Sequence, residues 1–245
     1  MTNEKMLEVL TALAACDGFN AKAIAQMTAD NSPSNESVGM PYRAEAILTN
    51  AIKAIKKDII TAEAKKSGNG ARQKVVDYII KSATALRRPD DKLTRQHKSA
   101  TTGKYYITDS YILLEQEKPF DGVNEETEDP MDAARFIPDG DGEKVKLPEA
   151  PALSAWIKLE KSRLKAEGKK KDKPIFDFEN DAPAFDAELL LKAIEASGRA
   201  DAMTVYGKFR TAVITGADGN RVAICPMRVQ PGTHCGTMQD IQNMQ

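Results

Sequence analysis

The sequence predicts an α+β fold in which meander strands pack on helices behind a helical N-terminal region. Three observations carry that expectation. Residues 1–70 hold only helical patterns, whereas the chain from Ala71 mixes helical with strand patterns. Its last third then runs strand, helix, strand, strand, strand, an order that lays one helix on a sheet.

The helical region comes first. Met6, Val9, Leu10 and Leu13 recur at helical spacing, and a second short helix is expected after Asn20, an N-cap residue, with Ile24 and Met27 as its apolar positions. Residues 31–41, NSPSNESVGMP, read as a turn-rich connector. Between Tyr42 and Lys66, Leu48, Ile52, Ile55 and Ile59 form an apolar stripe that Lys53, Lys56 and Lys57 avoid. Ser67-Gly68-Asn69-Gly70 supplies a C-cap and a hinge, which separates residues 1–70 from 71–245.

A further helix begins at Ala71, with Val76, Ile79, Ala83 and Leu86 on one face, and Pro89 ends it. After a polar connector, KYYITDSYILLEQ (104–116) has the aromatic and β-branched content of strand, broken by the turn-forming Thr108-Asp109-Ser110. Residues 121–151 hold ten acidic residues against Arg135, Lys144 and Lys146, with several Pro and Gly, and read as an acidic linker. Leu153, Trp156, Ile157, Glu160 and Leu164 then share one side of a helix, which places the sole tryptophan against the core. The charge reverses over Lys158 to Lys173, with eight basic residues and three acidic ones.

Pro174 to Phe178 alternates like a half-buried strand. Asp186 is positioned to cap a helix with Leu189, Leu190, Ala193 and Ile194 on its apolar face, stopped by Gly198. Three strands are expected at Met203 to Tyr206, Arg210 to Thr215 and Arg221 to Val229, the last two joined by a hairpin loop at 216–220. Residues 230–245 form a C-terminal tail.

The bulk composition narrows the function classes. Lys and Arg total 35 against 36 Asp and Glu, so a polyanion has to be met by a local patch rather than by global charge. Three scattered cysteines, Cys16, Cys225 and Cys235, make no disulfide framework, and the N-terminus lacks the pattern of a signal peptide. No apolar run approaches the roughly 18 residues that span a bilayer. A cytoplasmic protein with reduced thiols and no membrane partner is expected.

Catalytic patterns are weak. His97 and His234 sit in loop-like contexts; Cys225, His234 and Cys235 lack the CxxC pair or fourth ligand of a structural zinc site. No phosphate-cradling glycine loop occurs, and PDGDGE around Asp139 and Asp141 lacks a full calcium loop. No catalytic residue, metal or cofactor is expected; a hydrolase using Cys225 or Cys235 is a further alternative.

The runs AFDAELLLKAIEASG, TVYG, RTAVITGADGN and RVAICPMRV carry a resemblance. They are similar to the final half-domain of bacterial sliding clamps, the β subunit that holds DNA polymerase on its template, where a YLLDAL-like helix precedes three strands and a VMPMRL-like end. Cys225-Pro226-Met227-Arg228-Val229 stands at that ending. Ile107-Thr108-Asp109-Ser110-Tyr111-Ile112-Leu113 resembles the clamp's ATDGHRLA turn, and Phe136-Ile137-Pro138-Asp139 with Leu147-Pro148 its connector. The resemblance spans about residues 71–229.

It implies a non-catalytic accessory of DNA replication or DNA metabolism, of the reduced kind a phage or mobile element would carry. Clamps are rings of repeated domains, so a ring here implies a homo-oligomer. Duplex DNA would be met through Arg72, Lys74, Lys81, Arg87 and Arg88 on the first helix of the domain, with Lys169, Lys170 and Lys171 as further phosphate contacts. The same charges also suit a solvated surface. The helix from Asp186 to Ser197 offers Lys192 against Asp186, Glu188 and Glu195, which argues against a DNA-lined ring. The clamp's peptide groove, which receives replication or repair proteins, would here be walled by Pro226, Met227 and Arg228, with the tail free to cover it, fill it or stay unordered. The competing expectation is a protein-binding regulatory module that keeps the fold without DNA.

Overall fold

A computed structural model describes residues 2–15, 35–85, 91–127, 136–138, 140–179 and 181–244. The chain forms two compact units, residues 1–70 and 71–245.

In the first unit, α1 (Asn3–Ala15) packs against α2 (Asn35–Lys66). The helix expected after Asn20 lies outside the described residues. Helix α2 starts within the expected connector, seven residues before Tyr42. Pro41 forgoes one rung of the hydrogen-bond ladder, but its fixed φ is helical, and the remainder of the 32-residue helix carries it. The end is as the glycines require: Gly68 adopts φ +81° and its N–H donates to the Lys65 carbonyl.

The second unit is a mixed α+β layer. Its helices are α3 (Gly70–Thr84), α4 (Ala150–Ala166), α5 (Ala187–Ala196) and the short α6 (Met238–Gln242). Its strands are β1 (Gln96–Lys98), β2 (Tyr105–Thr108), β3 (Ile112–Gln116), β4 (Glu125–Glu126), β5 (Glu143–Lys146), β6 (Ile175–Asp177), β7 (Ala184–Asp186), β8 (Ala202–Val205), β9 (Ala212–Thr215) and β10 (Arg221–Ile224). Eight of them form one sheet in the order β4-β1-β2-β3-β10-β9-β8-β5, and β6 pairs with β7. Two meanders, β1-β2-β3 after α3 and β8-β9-β10 after α5, thus meet edge to edge at β3 and β10. That central pair is antiparallel, with Glu115 opposite Arg221, Leu114 opposite Val222, Leu113 opposite Ala223 and Ile112 opposite Ile224.

Strand alternation sends the two sets of side chains to opposite faces. Ile112, Leu114, Ala212, Ile214, Val222 and Ile224 join the main core with Val75, Val76 and Ile79 of α3 and Leu190, Ala193 and Ile194 of α5. Leu113, Val213 and Ala223 join a smaller cluster with Tyr106 and Ile137 on the far face. Helices α3 and α5 lie antiparallel on the main face: Arg72, at the start of α3, reaches the Ala196 carbonyl at the end of α5, and Lys192 sits 4.4 Å above the Tyr78 ring.

The acidic segment is more than a linker, because it supplies the edge strands β4 and β5 and the buried Ile137. The expected strand over 221–229 ends at Ile224. Pro226 has no N–H to continue a ladder, and the chain swings away so that the Met227 N–H donates to Ala184 in β7. The tail docks beyond it. Gly236 exchanges backbone bonds with Ile175 and Asp177 of β6, Thr237 and Asp240 form a capping box at α6, and Ile241 is buried. Trp156 meets Phe176 edge to face at 5.8 Å, and Gly236 lies against its indole.

Glu115 is fully buried, gripped by two 2.6 Å bonds from Arg221 and one of 3.2 Å from Lys104. Burial works to raise its pKa, but the bonds from Arg221 and Lys104 outweigh it and hold the carboxyl below its ordinary value. A lowered folded-state pKa contributes stability that is complete above the unfolded glutamate value of about 4.3 and is lost as pH falls through the folded value. Glu115→Gln is expected to cost about 1–3 kcal/mol at neutral pH, since it replaces the buried acceptor of charged bonds from Arg221 and Lys104 by a neutral amide, and to flatten the acid side of the stability profile. Denaturant melts at neutral and acid pH measure both; an acid response identical to that of the unaltered protein would remove Glu115 from it.

A Cβ at Gly236 would fall 2.0 Å from Trp156 Cζ2. Gly236→Ala is therefore expected to cost about 1–3 kcal/mol by overpacking and to shift tryptophan emission to the red as the tail lifts. Unchanged emission and stability would show that the tail does not seal the indole.

Candidate docking pocket

The turn between β2 and β3 is built by its own side chains. Asp109 Oδ1 accepts from the Tyr111 and Ile112 N–H groups at 3.0 Å each. Thr108 Oγ1 accepts from Ser110 N–H and donates to the Ile112 carbonyl at 2.8 Å. Ser110 takes φ +76°, a left-handed conformation that these local bonds support. Beside this turn runs the end of β10: the Cys225 N–H donates to the Tyr111 carbonyl at 2.9 Å, and its thiol to the Ser110 carbonyl at 3.5 Å.

Between these two segments lies an apolar cavity of about 130 Å³. Thr108, Ser110 and Leu113 wall one side and Ala223, Cys225 and Thr211 the other, with Leu93 also in the lining. Tyr111 and Phe136 form its rim and are 57% and 62% exposed, unusual for large apolar rings. Burial pushes the Cys225 thiol pKa up. The cavity is suited to holding one bulky apolar side chain, with aromatic rings at its mouth and backbone groups of the turn close by.

The sequence-predicted groove residues are placed differently. Met227 leaves the cavity and lines a polar basin of about 540 Å³ with Glu160, Arg163, Lys169, Lys173 and His234. Pro226 is half-buried at the exit of the strand, and Arg228 is exposed, 6.0 Å from the Phe209 ring. The tail passes along α4 and β6, and none of its residues lines the apolar cavity. Sequence reasoning named Pro226, Met227 and Arg228 and missed Ala223 and Cys225. The alternation of β10 carried the missing signal, because Cys225 shares the parity of Ala223.

The predicted DNA-contact residues separate into groups. Arg72 is a correction: it is buried, and its guanidinium donates to Gln116 Oε1 at 3.0 Å, to the Ala196 carbonyl at 2.9 Å and to the Glu115 carbonyl at 2.8 Å. Burial lowers its pKa, opposed by Asp218 and Glu115. Such a group ties α3, β3 and α5 together, and its burial keeps it from a phosphate at the surface. Lys74 and Lys81 are exposed on α3; Arg87 and Arg88 lie outside the described residues. Together α3 and α5 present Lys74, Lys81 and Lys192 against Asp77, Glu188 and Glu195, a balanced surface. Lys169 pairs with Glu167 at 3.0 Å, whereas Lys170 and Lys171 are exposed.

Among the described residues, no group of three or more His, Cys, Asp or Glu side chains is placed to hold a metal ion, and no helix is long and apolar enough to cross a membrane. No family model, curated protein or solved structure matches this chain.

Arg72→Ala is expected to lower stability by about 3 kcal/mol, because it strands two buried carbonyls. Lys81→Gln, on an exposed face of the same helix, should stay within about 0.5 kcal/mol. Urea midpoints distinguish them; similar midpoints would mean that Arg72 is not the tie its bonds describe.

Proposed function

We propose that unit 2 is a clamp-like domain acting as a non-catalytic docking module in DNA metabolism, with the Thr108–Cys225 cavity as the seat for a short peptide of a partner protein. One observation carries the reading. Ile107 to Leu113 and Cys225 to Val229 each resemble a sliding-clamp motif in sequence, and their segments lie side by side, bonded from Cys225 to Tyr111, around one apolar cavity. The two helix-plus-meander halves meeting at β3 and β10 also suit a clamp-like half-domain pair. Clamps receive polymerases and other partners through a peptide groove of this kind.

The anchoring chemistry follows from the lining. A leucine- or phenylalanine-sized side chain fills the cavity, and burying it would contribute about 1.5–3 kcal/mol. Tyr111 and Phe136 would close over the flanking residues. A protein-binding role without encirclement of DNA is favoured by the balanced charge of α3 and α5, which gives phosphates no net attraction.

Peptides selected from a displayed library of short sequences, then measured individually by calorimetry, test the proposal. Selected peptides are expected to share an apolar anchor, and Cys225→Trp, which fills the cavity, should weaken them at least about tenfold, the loss of roughly 1.4 kcal/mol. Undiminished binding by a Cys225→Trp protein of normal melting temperature would move the peptide seat elsewhere.

A further inference from the structure

The strongest unbalanced charge among the described residues lies on the outer side of α4 and the loop after it. Lys158, Lys165, Lys170 and Lys171 are exposed and make no ion pair among the described residues. The acids around them are already matched: Glu160 and Glu167 by Arg163, Glu167 also by Lys169, Glu188 by Lys161 and Asp186 by Lys173. Only Asp172, of the described acids between Lys158 and Lys173, has no such pairing, so four free ammonium groups face one free carboxylate.

Two of the four lie along the helix. Lys158 and Lys165, seven residues apart with Ser162 between them, share one helical face and are about 10 Å apart along the axis. Gly168, at φ +76°, turns the chain at the helix end, and Lys170 and Lys171 follow it. Lysines near a helix C-terminus also complement the dipole, which accounts for Lys165 but not for Lys158 or for the pair beyond the helix.

We infer that this stripe of lysines holds the phosphate backbone of duplex DNA, a surface separate from the peptide cavity. A duplex carries one charge per about 1.7 Å of axis, so cations spaced about 10 Å apart each find phosphates without reading sequence. The stripe contains no aromatic ring to stack an unpaired base, which favours duplex over single strands. Its exposed apolar content is limited to Leu159, too little for insertion into a lipid surface.

The test is fluorescence anisotropy of a short labelled duplex of mixed sequence with the full chain, between about 50 and 200 mM salt. Four phosphate contacts predict a slope of log K against log salt of about −3.6, and Lys170→Gln with Lys171→Gln should reduce that slope by about 2 and the affinity by at least about tenfold. Lys74→Gln with Lys81→Gln should leave both unchanged, as should Cys225→Trp, so that loss of the peptide seat and loss of the DNA surface are read separately. The inference is overturned by absence of duplex binding, by an unchanged slope in the Lys170/Lys171 variant, by an equal loss in the Lys74/Lys81 variant, or by binding to phosphatidylserine vesicles without binding to duplex.

Discussion

The pairing of β3 with β10 joins segments 106 residues apart at the centre of the main sheet, and the other elements of unit 2 are positioned from it. Its register decides which side chains face the helices. A slip of one residue would carry Leu114, Val222 and Ile224 out of the main core and bring Leu113 and Ala223 into it. The Glu115–Arg221 pair opposes that slip, since a shift would carry the buried carboxylate away from the guanidinium opposite it. The bond from Cys225 to Tyr111 extends the same pairing past the last strand residue, and the cavity opens where it ends.

With the register set, the distribution of cations follows. Arg72 lies on the helix face nearest the β3–β10 seam and spends its guanidinium on carbonyls of β3 and α5 and on the Gln116 side chain. Lys104 and Arg221 are drawn to Glu115. The positive charge nearest the sheet centre is therefore structural. Lys192, over the Tyr78 ring, is partly used in the same way. Exposed lysines lie away from that seam, among them those on the outer side of α4, whose inner side buries Leu153, Trp156 and Ile157.

Much of this was legible in the sequence wherever a local pattern decides structure. The apolar side of α4, the cap at Asp186, the turn at Thr108 to Ser110 and the hairpin loop after Thr215 each arise from residues a few positions apart. Strands β1, β4 and β7 were not legible. They are two or three residues long, and a distant partner, not propensity, makes them strands. Arg72 misled for a related reason: its helical position relative to Val75, Val76 and Ile79 puts it beside the apolar face, but charge alone reads as exposure. The buried bonds that reverse that reading come from residues 43, 44 and 124 positions away.

The cavity shows how residues named from a strand pattern can be placed elsewhere by the fold. Along a strand that continued through Val229, Met227 would share the face of Ala223 and Cys225 and would wall the same groove. Pro226 prevents that by ending the ladder, and Met227 is taken up by β7. The turn then leaves small side chains, Thr108, Ser110 and Ala223, where the far face has little cover beyond Ile137. An opening lined by small groups and edged by Tyr111 and Phe136 is what remains when one face of the sheet is packed by α3 and α5 and the other by a few residues of a connecting segment. Because the tail is held at Trp156 by Gly236 and at the core by Ile241, it does not compete for that opening.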